Sequence, residues 1–145
     1  MARWLLLLCL LLGLAGCQTY LQSTLDPQKY SQHYKFYDLE FFWKNDHTPD
    51  SYSIEGLVQN NRYANVRDLE LSATLLQKDG KELATSTFYF FPNLLSIDEK
   101  APFTLVLPIK QGQQPAKLKF FYRYRLAEHG YEQSPYFYSF IIDLY

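Results

Sequence analysis

The chain has 145 residues, a formal net charge of −1 at pH 7 and an aromatic fraction of 18%. This length suits one ordinary domain, and without a basic surplus we expect no nucleic-acid partner. The two cysteines, Cys9 and Cys17, both lie near the N-terminus. The remainder of the chain therefore has no thiol for a disulfide, a metal ion or a catalytic nucleophile.

The N-terminal segment has the pattern of a secretory signal peptide. Arg3 supplies a positive charge, an apolar run follows over residues 4–12, and small residues precede Cys17. This order is typical of a signal peptide that is removed on export. The apolar run is too short for a membrane-spanning helix, which needs about 20 residues.

The end of this segment, Leu14-Ala15-Gly16-Cys17, resembles the lipobox of bacterial lipoproteins. The resemblance implies that residues 1–16 are cleaved off, that the Cys17 thiol carries a diacylglycerol and that the new amino group is acylated. Two or three acyl chains would hold the protein stably on a membrane of the cell envelope. Gln18, in place of an aspartate after the cysteine, favours the outer membrane facing the periplasm if the host is Gram-negative.

A polar tether is predicted to join the lipid to the domain. Residues 17–32 contain one proline and no long apolar pattern. At about 3.3 Å per residue, this segment would reach about 50 Å when extended.

Residues 33–145 are predicted to form a single all-β domain. Apolar and polar residues alternate over short segments, and turn residues separate these segments at regular intervals. The predicted strands lie in residues 35–44, 53–59, 68–75, 82–91, 102–109, 117–126 and 136–144. About seven short strands with turn-rich connections indicate one antiparallel Ig-like β-sandwich.

The clearest strand, residues 117–126, has an apolar face and a basic face. The basic face consists of Lys117, Lys119, Arg123 and Arg125. We expect this face to be solvated and paired with acids such as Glu70 on a neighbouring strand. Contact with anionic lipid or lipopolysaccharide is the alternative. Asp79-Gly80 between two alternating segments predicts a hairpin.

The middle of the chain, residues 52–110, is similar to the FxLYD and related Ig-like domains of bacterial envelope proteins. The similarity is carried by Gly56-Leu57-Val58-Gln59-Asn60, by Asp79-Gly80-Lys81 and by Ala101-Pro102-Phe103. It implies the Ig-like fold, and an adhesive or structural role more than an activity.

The sequence contains no pattern for catalysis or cofactor binding. His33, His47 and His129 share no short ligand spacing, so we expect no metal site and no cofactor. Two carboxylate pairs, Asp38 with Glu40 and Asp68 with Glu70, are predicted to lie on the solvated faces of strands. We therefore expect a protein that is not an enzyme.

Three connections are predicted to meet at one end of the sandwich if the strands follow Ig order. They are residues 60–65, 92–100 and 127–135, and the tether is expected to enter at the same end. Tyr63, His129 and Tyr131 in these connections form a candidate contact surface, because tyrosine joins a large apolar area to a polar tip. The alternative is that these residues only cover the edge of the sandwich.

The leading functional hypothesis is a non-catalytic binding or assembly module that is anchored to a membrane and recruits an envelope protein. The first alternative is a glycan-binding domain that uses exposed aromatic side chains. The second is an enzyme whose site is assembled from dispersed acids and histidines.

Overall fold

The structure of the protein, a computed structural model, describes residues 25–128, 131–132 and 134–144. Within these residues a 3₁₀ turn at Pro27–Lys29 is followed by ten strands. The strands are β1 Gln32–Phe36, β2 Leu39–Thr48, β3 Ser51–Asn60, β4 Asn65–Leu76, β5 Glu82–Tyr89, β6 Leu94–Leu95, β7 Lys100–Pro108, β8 Lys117–Glu128, β9 Tyr131–Glu132 and β10 Tyr136–Asp143. No helix in this part of the chain is long and apolar enough to cross a membrane.

The strands form two antiparallel sheets that face each other. The first sheet has the order β1-β2-β3-β7. The second has the order β10-β8-β4-β5, with β6 paired to β4 and β9 paired to β8. The chain thus passes between the two sheets several times, in the manner of an immunoglobulin-like sandwich. The predicted all-β, Ig-like fold is confirmed.

Alternation along β4 and β8 builds the centre of the core. Five side chains of β8 are at most 2% exposed and point toward the first sheet: Leu118, Phe120, Tyr122, Tyr124 and Leu126. In β4 the predicted inward residues Leu69, Leu71, Ala73 and Leu75 are buried as well. Each large apolar side chain removed from water contributes about 1.5–3 kcal/mol, so these two adjacent strands hold much of the stability.

The segment predicted as one strand over residues 35–44 is in fact a hairpin. Phe36 pairs with Leu39, and Tyr37 and Asp38 form the turn between β1 and β2. Tyr37 has a φ of 47°, a conformation that is uncommon for a residue with a large side chain. The aromatic-rich sequence carries no glycine or asparagine to indicate this turn, which is why the segment reads as continuous.

The expectation that the tether enters at the loop-bearing end is wrong. β1 is antiparallel to β2, and its first residue, Gln32, lies opposite Trp43 near the middle of the sheet. Burial, reinforced by the nearby charge of Glu55, raises the pKa of Tyr30, and Glu55 forms an exposed ion pair with Lys44 in the middle of β2 and β3. The chain therefore approaches from the other half of the domain and runs toward the loops only within β1.

The predicted tether also contains ordered backbone at its C-terminal end. Pro27 begins the 3₁₀ turn, and the Asp26 side chain accepts a hydrogen bond from the Gln28 backbone N–H at 3.0 Å. Asp26 is thus a typical N-cap, with proline at the first helical position. Cys17 and residues 1–16 lie outside the described residues.

Candidate functional site

The loop end is the end of the sandwich where the turn between β1 and β2 meets residues 60–65 and 92–100. The side-chain amide of Asn60, a fully buried residue, joins the two longer connections. Its nitrogen donates to the carbonyl oxygens of Ala64, Leu95 and Ser96 at 2.9, 3.1 and 3.1 Å. The third predicted connection begins at Ala127, directly opposite Asn65. The two longer connections meet at one end, as predicted, and the described start of the third connection lies at the same end.

A buried carboxylate links this loop end to both sheets. Asp38 is 4% exposed, and its Oδ1 accepts a hydrogen bond from Nη1 of Arg62 at 2.9 Å. Its Oδ2 accepts a hydrogen bond from the hydroxyl of Tyr124 on the second sheet. The prediction that Asp38 lies on a solvated strand face is wrong, because the turn directs its side chain inward to an arginine and a tyrosine that stabilise its charge.

The hydroxyl of Tyr124 remains a donor at any ordinary pH. Burial, reinforced by the hydrogen bond to Asp38, raises the pKa of Tyr124 well above its usual value. Burial also raises the pKa of the neighbouring Tyr122. The interaction between Tyr124 and the carboxylate is therefore a charge-assisted hydrogen bond across the core, which is stronger than one between neutral groups.

Two exposed tyrosines are joined through the ion pair of Asp38 and the partly buried Arg62. Tyr37 precedes Asp38 in the chain and is 70% exposed, and Tyr63 follows Arg62 and is 72% exposed. The Arg62 guanidinium carbon lies 4.5 Å from the centroid of the Tyr63 ring, within the range of a cation–π interaction. We call Tyr37 and Tyr63 the tyrosine pair. Each is an exposed ring whose neighbour in sequence is fixed by the salt bridge.

Glu40 anchors a second group of polar contacts beside the ion pair. Its carboxylate contacts His33 Nε2 at 2.6 Å and accepts hydrogen bonds from Asn61 at 2.7 Å and Lys35 at 3.2 Å. Burial alone would raise the pKa of Glu40, but these hydrogen bonds and the charge of Lys35 lower it overall. The predicted solvated position of Glu40 is thus only half correct, since β1 and the loop cover one side of it.

Further apolar side chains surround the connection of residues 92–100. Phe91 is 97% exposed, and Ile97 is also exposed. Beside Phe91 lies an apolar recess of about 200 Å³, whose walls include Phe88, Leu94 and Pro102. Sequence patterns alone identify neither Phe91 nor Tyr37 as a surface residue. Each stands at the end of a run of aromatic residues, and nothing in such a run marks which ring faces solvent.

The second predicted carboxylate pair lies at a β-bulge. The pairing of β4 with β8 is irregular between Arg67 and Glu70, and Asp68 has a φ of 50°. Arg123 donates to both carboxylate oxygens of Glu70, at 2.6 and 2.7 Å. The predicted pairing of the basic strand face with Glu70 is confirmed. The described residues contain no group of three or more histidines, cysteines or acids arranged for a metal ion.

The other predicted site residues fall partly outside what the structure describes. Tyr63 is exposed at the loop end, as predicted. His129 and Cys17 lie outside the described residues. Tyr131 begins β9, where its backbone pairs with Glu128, and its side chain is not described.

The comparisons with known proteins support no family assignment. No protein-family model matches the sequence, and no curated protein sequence matches it. Among solved structures, the GAE domain of yeast GGA1 is 12% identical with a TM-score of 0.48, and the match covers 77% of this chain and 95% of that domain. The GAE domain of GGA2p from Saccharomyces cerevisiae is 11% identical with a TM-score of 0.42, covering 78% of this chain and 96% of that one.

A third structure is a β-glucuronidase from glycoside hydrolase family 2, at 16% identity and a TM-score of 0.38. That match covers 68% of this chain but 11% of the enzyme. With such low identities and TM-scores below 0.5, the three matches carry no argument about ligands or activity.

Proposed function

We propose that this protein is a lipid-anchored lipoprotein of the cell envelope and serves as a non-catalytic binding module. The observation that carries the binding role is the tyrosine pair at the loop end. Two tyrosine rings are largely exposed there, although the domain has ample core in which to bury aromatic side chains. The lipobox at Leu14-Ala15-Gly16-Cys17 supports the anchor.

The ion pair of Asp38 and Arg62 gives the tyrosine pair a fixed position. Ordering a mobile side chain on binding costs about 0.5–1.5 kcal/mol, so side chains that are already ordered bind with less loss. Tyr63 stacks on Arg62, which Asp38 holds, and Tyr37 packs against Phe36 with ring centroids 4.3 Å apart. Exposed but preordered tyrosine and arginine side chains are typical of energetically dominant contacts in protein interfaces.

The carboxylates near these loops support a non-catalytic role. Asp38 is paired with Arg62, and Glu70 is paired with Arg123 through two hydrogen bonds. Each of these carboxylates is thus engaged in an ion pair within the domain.

Glycan binding is the second candidate, and the same two tyrosines favour it. Exposed aromatic rings offer flat apolar faces on which a sugar ring can stack. The two candidates share a surface but differ in ligand class, so one set of variants tests both.

The anchor is tested by replacing the acylated cysteine. We expect Cys17→Ala to abolish lipidation and cleavage at this site, because no thiol would be present to accept the diacylglycerol. The measurement is metabolic labelling with a fatty-acid analogue, together with the mass of the processed chain. Correctly cleaved, membrane-bound Cys17→Ala protein would refute the anchor without bearing on the loop end.

The binding role is tested by crosslinking the complete protein in its native envelope and identifying captured proteins by mass spectrometry. We expect one recurring envelope protein, with recovery reduced about tenfold or more by the double change Tyr37→Ser and Tyr63→Ser, since each interface tyrosine can contribute about 1–2 kcal/mol or more. Tyr89→Ser is the matched control, because Tyr89 is similarly exposed but lies on β5.

Equal recovery with the double variant and with Tyr89→Ser would contradict binding through the tyrosine pair. If no protein recurs, the purified protein is screened against envelope polysaccharides. Polysaccharide binding that the double variant loses and Tyr89→Ser retains would replace the protein partner with a glycan.

A further inference from the structure

The strand edges of the sandwich differ in how well they are protected against pairing with another chain. An unpaired edge exposes backbone N–H and C=O groups, and natural proteins block such edges with prolines, lysines or very short strands. β1 has five residues and contains Lys35, and β7 contains Pro102 and Pro108. β10 has eight residues, YFYSFIID, and carries none of these protections. No described strand pairs with the edge of β10 that faces away from β8.

The outward face of β10 is apolar where solvent should favour polar groups. Phe137 is 64% exposed and Ile141 is 57% exposed, with Ser139 between them. Phe121 of β8 lies opposite Ser139 and is also partly exposed. The edge strand β5 differs, since its outward residues include Thr85 and Thr87, which bond to Thr74 and Ser72. β10 thus combines an open edge with an exposed apolar surface.

We propose that β10 pairs antiparallel with β10 of a second copy of this chain, with Ser139 opposite Ser139. This register follows from the apolar positions, because it places Phe137 of each copy opposite Ile141 of the other. A shift of two residues in either direction would leave at least one of these side chains opposite a polar residue. The two second sheets would then form one continuous sheet around a twofold axis.

The charges beside β10 are compatible with this register. Asp143 lies opposite Lys117 in its own copy. In the dimer it would also lie opposite Pro135 of the second copy, a residue that shares a recess with Arg125. The cations Lys119 and Arg123 lie opposite Ile141 and Phe137 in the described register. Two β10 strands would separate the cations of one copy from those of the other. The distance is three strand spacings, about 14 Å, at which salt screens their repulsion.

The geometry of the dimer also agrees with the proposed membrane anchor. The twofold axis would run perpendicular to the joined sheet, so both copies would present their first sheets to the same side. Tyr30 lies near Lys44 and Glu55, which point outward from that first sheet. Both N-terminal segments would therefore leave the dimer on one side and could reach a single membrane. The pairing itself does not depend on the anchor.

The test is disulfide crosslinking of the complete protein in isolated membranes, with copper phenanthroline as oxidant. The chain has only two native cysteines, both at or before position 17, and acylation would block Cys17. We expect Ser139→Cys to give a disulfide-linked dimer in more than half of the protein, because directly opposed Cα atoms in antiparallel strands lie within disulfide range. Thr87→Cys, on the outward face of edge strand β5, is the matched control and should stay below a tenth.

The register has its own test. Phe137→Cys and Ile141→Cys proteins with different tags, produced together, should give mixed disulfide dimers. Each variant produced alone should give no disulfide dimer. Adding Ile141→Lys to Ser139→Cys should reduce its dimer at least fivefold, since each copy would bring a charge to the apolar contact.

Two outcomes would overturn the proposal. The first is that Ser139→Cys and the mixed pair both crosslink no more than Thr87→Cys, while all four introduced thiols react with maleimide. The second is that Ser139→Cys links to a different protein and forms no dimer of itself. If the Cys17→Ala result refuted the lipid anchor, disulfide dimers of Ser139→Cys would still support the pairing of β10. Only the proposal of the anchor would then be withdrawn.

Discussion

Replacing Gly56 with alanine is expected to destabilise the domain by about 3 kcal/mol or more, which is a large part of the 5–15 kcal/mol typical of a whole domain. A Cβ at this position would lie 2.4 Å from the carbonyl oxygen of Phe42 and 2.5 Å from the ring of Phe103. Gly56 is paired with Trp43 on β2 and with Phe103 on β7, so neither neighbouring strand can withdraw without breaking its ladder. The free energy of unfolding in urea measures this cost.

Gly80→Ala provides the control for the Gly56 variant. Gly80 lies in the hairpin after β4 with a φ of 89°, and a Cβ at this position would meet no atom within 4 Å. Its substitution therefore costs only backbone strain, about 1–2 kcal/mol. If Gly56→Ala proved no more costly than Gly80→Ala, the close approach of Phe103 would not be the reason for glycine at position 56.

Asp38→Ala is expected to destabilise the domain by about 3 kcal/mol. Removing the buried Asp38 leaves the partly buried Arg62 guanidinium without its carboxylate, and this is more costly than losing an exposed pair. Here the Arg62 guanidinium and the Tyr124 hydroxyl would both lose their acceptor. The measurement is again urea unfolding, and binding through the tyrosine pair should weaken in the same variant.

The matched control for Asp38 is Glu55→Ala. Glu55 forms an ion pair with Lys44 at 3.1 Å, and both side chains are more than half exposed. Exposed pairs of this kind contribute about 0–1 kcal/mol. A loss of stability in Asp38→Ala that merely equalled the loss in Glu55→Ala would show that the buried carboxylate does not hold the loop end together.

The parts of the fold that sequence predicts well are those set by local alternation. β8 can be predicted because apolar inward residues alternate with mostly basic outward residues along its length. The hairpin after β4 can be predicted from Asp79-Gly80. The turn at Tyr37 is not readable, because the residues on both sides of it are aromatic and favour strands. Asp38 and Glu40 are two positions apart, and this spacing places them on the same face only if the segment is a single strand.

The candidate site is predictable only in part, since its contacts are distant in sequence. The partners of Asp38 are 24 residues away, at Arg62, and 86 residues away, at Tyr124. The position of Tyr63 at the loop end is predictable, because the strand order of an Ig-like sandwich is enough to place its connection there. The open edge of β10 is likewise a property of sheet order, and no local pattern distinguishes an edge strand with this composition from a central one.

The direction of β1 determines how the domain would respond to mechanical load. β1 enters from the half opposite the loop end and pairs with β2 through five consecutive residues, from Gln32 to Phe36. Tyr34 also stacks on Phe140 of the other sheet, with ring centroids 3.6 Å apart. A tension between the N-terminal segment and a ligand held at the loop end would act along β1. The hydrogen bonds to β2 would then be sheared together and not opened one at a time, a geometry in which a short strand resists force well.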